Sequence, residues 1–185
     1  MQSNIGRRKN SYIGGKRKMG KRTKIKIFVS YARANKMLAG KLLTAYKEQV
    51  AAAKNYEYEF WQDRDILVGE AWHETILEAL ENCDLGLILI SPAFLGSRYI
   101  SEHELPKFVK SAAKPFIPIM LQPVDFERMD LKGINKHQIF RLEGERFKSP
   151  KSYGDCTGNQ RDRYVQSLFQ KVEKRLDKLF KTKGN

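Results

Sequence analysis

Cysteine and histidine are scarce in this chain of 185 residues, which has two of the first and three of the second. Two cysteines do not build a disulfide scaffold. Cys83 falls in a helix-like apolar pattern and Cys156 in a loop-like stretch, and a reducing cytoplasm suits both. His73, His103 and His137 are scattered, so no cluster of zinc-ligand spacing forms and each reads as a surface or supporting residue. No run reaches the ~18–20 consecutive apolar residues of a membrane span. The basic start lacks the apolar segment of a secretory signal. A glycine-rich dinucleotide-binding turn is also missing, which argues against a bound hydride carrier. What is left is one domain, long enough for a proper core and too short for two.

Acidic residues are missing from the first 26 positions, which hold ten Lys and Arg, so the other 159 residues carry only +4 of the net charge of +14. The basicity is therefore largely a tail. Its Gly-rich stretch Ile13-Gly14-Gly15-Lys16-Arg17-Lys18-Met19-Gly20 has little to bury. Residues 1–23 are expected to be a disordered basic leader, 24–181 the folded domain and 182–185 a short C-terminal tail. An arm that touches nucleic acid or acidic lipid is the alternative reading of the leader. The charge distribution argues against a nucleic-acid role for the rest of the chain.

Patterning within 24–181 alternates strand and helix. Lys24 to Ser30 alternates and then turns fully apolar, as a strand entering a core does. A helix is predicted over Ala34 to Ala53, with Met37, Leu38, Leu42, Ala45 and Tyr46 at helical spacing. Tyr56 to Trp61 reads as a short aromatic strand, Asp63 to Gly69 as a loop, and Glu70 to Asn82 as a helix with Trp72, Ile76, Ala79, Leu80 and Cys83 on one face. Leu85 to Ile90 is continuously apolar, as in a strand covered on both faces. Phe94 to Ile100 reads as a loop or short helix, Ser101 to Ser111 as a helix, and Lys114 to Leu121 as a strand whose Pro118 points to a bulge or an edge. Residues 123–160 are loop-rich, with a short strand near Ile139–Leu142. Gln160 to Lys181 is a long amphipathic helix with Tyr164, Leu168, Val172, Leu176 and Leu179 in one stripe. The expected fold is α/β, a flavodoxin-like doubly wound parallel sheet of about five strands flanked by helices. Ligands of such sheets bind beyond the carboxyl ends of the strands, so the loops after Ser30, Trp61 and Ser91 are where chemistry is expected.

Those loops carry Phe28-Val29-Ser30-Tyr31-Ala32-Arg33; Phe60-Trp61-Gln62-Asp63-Arg64-Asp65-Ile66-Leu67-Val68-Gly69-Glu70-Ala71-Trp72; and Ile90-Ser91-Pro92-Ala93-Phe94-Leu95-Gly96-Ser97-Arg98-Tyr99-Ile100, running on to Glu102-His103-Glu104-Leu105. In this order, over about residues 24–180, the motifs resemble TIR (Toll/interleukin-1 receptor) domains of the bacterial type. The likeness extends through Phe116 to Asp125. Three ordered motifs are a far more specific signal than one short pattern.

The resemblance implies two kinds of function. Some members cleave NAD⁺ at the nicotinamide–ribose bond, giving ADP-ribose or a cyclic isomer; others only assemble through TIR–TIR contacts. In the enzymes an essential Glu follows a Ser-x-aromatic-Cys-like motif. Here that motif reads Ser97-Arg98-Tyr99-Ile100, with Ile100 at the usual Cys, and Glu104 falls seven residues after Ser97. Another departure is Ala32-Arg33-Ala34-Asn35, which lacks the acidic residue common there. The implied activity is that of an NAD⁺ nucleosidase or ADP-ribose cyclase with Glu104 as catalytic carboxylate, NAD⁺ as substrate and no cofactor. Glu102 is the alternative. Two residues apart on a helix point about 200° away from each other, so the two acids do not share a pocket. Glu104 borders the Leu105 and Phe108 stripe, whereas Glu102 lies where an acid complements the helix dipole.

One carboxylate suffices for this chemistry, because losing nicotinamide leaves an oxocarbenium-like ribose that it stabilises or captures. Tyr31, Trp61, Tyr99 and Trp72 are candidates to hold the rings, although Trp72, at i, i+4 from Ile76, reads better as core. Ser97 joins the substrate-binding candidates. Arg33 and Arg64 suit the pyrophosphate, or are plain surface arginines. Asp63, Asp65 and Gly69 fall in the loop that the resemblance assigns to self-assembly and gating, and Gly69 allows backbone conformations other residues resist. Asp63 and Asp65 lack a third ligand at usable spacing, so no metal is expected. The partners so implied are NAD⁺, further copies of the chain and an effector or sensor protein, in the cytoplasm, within bacterial antiphage immunity.

Overall fold

The computed structural model describes residues 22–62, 72–110, 114–144 and 147–180. Four parallel strands, β1 (Thr23–Ser30), β2 (Tyr56–Trp61), β3 (Leu85–Ile90) and β4 (Phe116–Met120), form one sheet in the order β2-β1-β3-β4. The helices are α1 (Lys36–Ala51), α2 (Trp72–Asn82), α3 (Pro92–Leu95), α4 (Leu105–Val109) and α5 (Gly158–Phe180). Chain order reverses direction between β1 and β3, which makes their carboxyl ends the switch point of the sheet.

The period of two along each strand sorts the core into two layers. Ile25, Ile27 and Val29 of β1, with Leu85, Leu87 and Leu89 of β3, face α1 and α5. Phe28, Ile88 and Ile90 face the other way, toward Ile76 and Leu80 of α2 and Leu105 and Phe108 of α4. All six residues of β3 are buried, as a continuous apolar strand requires. Helix α5 is tied across the sheet by Tyr164, whose hydroxyl donates to the Met120 carbonyl at 2.8 Å, and by Asp177, which accepts from the Tyr56 hydroxyl at 2.9 Å.

Several expectations are corrected in detail. Helix α1 starts at Lys36 after a 3₁₀ turn over Arg33–Asn35, and Met37 is 80% exposed. The buried stripe is Ala39, Leu42, Leu43, Tyr46 and Val50. Met37 lies two residues, or about 200°, from Ala39 and so faces away from it. Trp72 is also no core residue: it is 42% exposed, at the first described position of α2. One turn further, Ile76 and Leu80 carry the burial.

A fifth strand is reduced to one parallel bridge, Ile119 to Phe140. The Phe140 N–H donates to the Pro118 carbonyl and the Phe140 carbonyl accepts from the Met120 N–H, so Pro118 faces this outer edge. Extending the ladder backward needs the N–H that Pro118 lacks. Extension forward meets Tyr153, whose N–H already donates to the Met120 carbonyl. The edge position expected from Pro118 is therefore what the sheet shows.

Cys83 and Cys156 are both buried and free, 73 positions apart in sequence. Burial pushes the Cys83 thiol up to about 11 and raises that of Cys156 as well. Only the thiolate reacts, and a raised pKa means less of it. Ellman's reagent at pH 8 is expected to modify neither thiol in the native chain and both after denaturation. Rapid stoichiometric labelling of the native chain would contradict this burial.

Candidate functional site

The helix expected over Ser101 to Ser111 is two structures. Ile100–Glu104 is a π-helical turn, closed by the Leu105 N–H donating five residues back to the Ile100 carbonyl, and α4 follows. Pro106 has no N–H for the ordinary i to i−4 bond, and one widened turn accommodates the gap. On that turn Ile100 and Glu104 face inward, and Glu102 faces out.

Glu104 is only 8% exposed. Its Oε2 accepts a hydrogen bond of 2.5 Å from the Ser30 hydroxyl at the carboxyl end of β1. Glu102 is exposed instead and pairs with Arg98 at 2.8 Å, one helical turn back. The two acids thus lie on opposite sides, as their spacing requires.

Glu104 lines a cavity of about 30 Å³ together with Phe28, Val29, Tyr31, Trp61, Trp72 and Ile76. That is room for about one water-sized group, against ~300–1,000 Å³ for a typical ligand pocket. Trp61 stacks on Phe28 with ring centroids 5.1 Å apart. Trp72 packs on Tyr99 at 4.4 Å, and Tyr99 also meets His73 and His103. The Tyr99 hydroxyl lies 3.1 Å from His73 Nδ1. Burial raises the Tyr99 pKa first, and the negative charges of Glu104 and Glu74 add to it.

A second buried polar group holds the same sheet edge. The Ser91 hydroxyl donates to Asn35 Oδ1 at 2.5 Å, and Asn35 Nδ2 donates to Gln122 Oε1 at 2.8 Å. Ser91 also accepts from the Phe94 N–H and so caps α3. This network pins the 3₁₀ turn after Tyr31.

Of the sequence candidates, Glu104, Tyr31 and Trp61 come together, and Tyr99 reaches the cavity wall through Trp72. Arg33 is exposed on its 3₁₀ turn and does not line the cavity. Ser97 is a turn residue whose hydroxyl accepts from the Ile100 N–H at 3.4 Å. Asp63, Arg64, Asp65 and Gly69 lie outside the described residues. Sequence reasoning missed Ser30 as a partner of Glu104. Its signal was parity: Ser30 shares the Phe28 side of β1 and is a polar residue at a core-facing position.

A larger depression of about 880 Å³ lies between Leu142–Lys151 and the start of α5, but it is shallow and lined mainly by exposed side chains such as Lys148 and Arg163. Among the described residues, no group of three His, Cys, Asp or Glu is placed to hold a metal ion, and no helix is long and apolar enough to cross a membrane.

No curated protein matches the chain. The family model described as TIR domain matches residues 27–151, more than half of the chain. That match runs from within β1 to the Leu142–Lys151 bridge, and with the parallel sheet flanked by helices it means that this chain belongs to the TIR-domain family.

Proposed function

We propose that this domain hydrolyses NAD⁺ at the nicotinamide–ribose bond, with Glu104 as the catalytic carboxylate. The observation that carries the reading is one buried acid facing an aromatic-walled cavity at the switch point of the sheet. The C1′–N bond breaks with its electron pair leaving on nicotinamide, which departs neutral. Glu104 stabilises the cationic ribose while water adds at C1′ and releases its second proton to solvent. Capture of the same cation by a nucleophile of the ADP-ribose part gives the cyclic isomer instead. Tyr31, Trp61, Trp72 and Tyr99 supply aromatic faces, and Arg33 and Arg64 the pyrophosphate contacts. NAD⁺ is the substrate and no cofactor is needed.

The small cavity sets a condition on this reading. Trp72, the most exposed of the lining side chains, has to move before a nicotinamide ring fits. Assembly of several copies through TIR–TIR contacts, involving Asp63, Asp65 and Gly69, supplies a cause for such a change. A cytoplasmic signalling or effector role in bacterial antiphage immunity goes with this reading.

The test is to incubate the purified chain with NAD⁺ across a range of protein concentrations, follow nicotinamide release, and identify the product by mass spectrometry. The closed cavity is also the observation that favours a second reading, a non-catalytic TIR–TIR interaction module. Lack of release at every concentration selects that reading over hydrolysis.

A further inference from the structure

We propose that Ser30 is a positioning residue, whose hydroxyl sets the orientation of the Glu104 carboxylate toward the cationic ribose; this rests on the NAD⁺ reading above. The two residues are 74 positions apart and meet only because β1 ends beside the π turn. Glu104 hangs from a short widened turn by a side chain with three rotatable torsions, among the apolar walls of Phe28, Ile76 and Trp61. Ser30 belongs to a central strand, in register with Ile88 of β3, and is itself buried. A rigid element thus supplies a donor to a carboxylate carried by a less regular one, and that arrangement makes a geometry reproducible.

The bond also acts on charge. Burying a carboxylate without a donor is costly, and a hydroxyl that donates to it favours the ionised form that a cationic transition state requires. The bond uses the only hydroxyl proton of Ser30 and fixes one of the two Glu104 oxygens, Oε2. Placement of the carboxylate to a fraction of an ångström is the condition for efficient stabilisation of the cation.

The experiment compares Ser30→Ala, Ser30→Thr, Ser30→Cys and Glu104→Gln in steady-state nicotinamide release, with far-UV circular dichroism and thermal melting as folding controls. Ser30→Ala is expected to lower kcat by about 10- to 100-fold with KM changed less than about twofold. Ser30→Thr keeps the hydroxyl and is expected to recover most of kcat. Ser30→Cys, nearly isosteric and a weaker donor, is expected to fall between the two, and it decides the matter if Ser30→Ala does not fold. A Ser30→Ala chain at parental kcat, beside an inactive Glu104→Gln chain, overturns the positioning role and leaves the NAD⁺ reading standing. Folded Thr and Cys variants as slow as the Ala variant, or an effect confined to KM, also overturn it. If the parent chain releases no nicotinamide, or Glu104→Gln is fully active, both readings fall together.

Discussion

Glu104→Ala is expected to lower nicotinamide release by about 10²- to 10³-fold, the usual effect of removing one group that stabilises charge developing in a transition state. In energy this is about 3–4 kcal/mol of barrier. The expectation follows from where the acid lies. It is the only carboxylate among the described residues that line the cavity, and its position is held from β1. Glu102→Ala is the control. That side chain is exposed and paired with Arg98 on the outer side of the same turn, a contact worth at most about 1 kcal/mol. Its removal is expected to leave the rate within about twofold. The comparison separates the two acids that the sequence places two residues apart. A fast Glu104→Ala chain, or a slow Glu102→Ala chain that is folded, would show that the carboxylate has been assigned wrongly.

Phe108→Ala is expected to destabilise the domain by about 3–5 kcal/mol, a large share of the ~5–15 kcal/mol that holds a domain together. Phe108 is buried between Phe28, at 6.2 Å, and Phe116, at 5.7 Å between ring centroids. Its ring also occupies the space left by Gly86, where an added Cβ would lie 2.5 Å from Phe108 Cε1. Truncation therefore opens a cavity against Gly86, which has no side chain to fill it. Because α4 continues directly from the turn that carries Glu104, the same change is expected to slow nicotinamide release in the fraction that stays folded. The thermal midpoint is the measurement, and a fall of about 6–20 °C is the expected size for a domain of this length. Met129→Ala, at an exposed site, provides the reference at about 0.5 kcal/mol or less. If Phe108→Ala melts within a few degrees of Met129→Ala, the Phe108 ring does not carry the packing of α4 on the sheet.

Much of this molecule was readable in one dimension because its determinants are periodic. The apolar run Leu85–Ile90 has one physical solution, a strand covered on both faces, and the stripe Tyr164, Leu168, Val172, Leu176 has one as well. The parallel order of strands follows from alternation with helices. The placement of Glu104 beside the Leu105 and Phe108 stripe, and of Glu102 away from it, follows from helical angle alone.

Other features depend on neighbours far away in sequence. Met37 has helical spacing yet lies exposed, because the face of α1 is chosen by the sheet and by α5. Trp72 reads as core from its distance to Ile76, yet its ring packs on Tyr99, a residue of the turn before α4. The fifth strand stops at one bridge because Pro118 lacks a donor and Tyr153 takes the next acceptor. The pairing of Ser30 with Glu104 belongs to this second class. Parity marks Ser30 as a polar residue on the buried side of β1, but only the packing of α4 against that side supplies the carboxylate it holds. Sequence by itself determined the fold class, the TIR resemblance and the side of the turn on which Glu104 lies; the tertiary structure decided what surrounds that acid, because hydrogen bonding and packing in a closed core are set by residues brought together from distant parts of the chain.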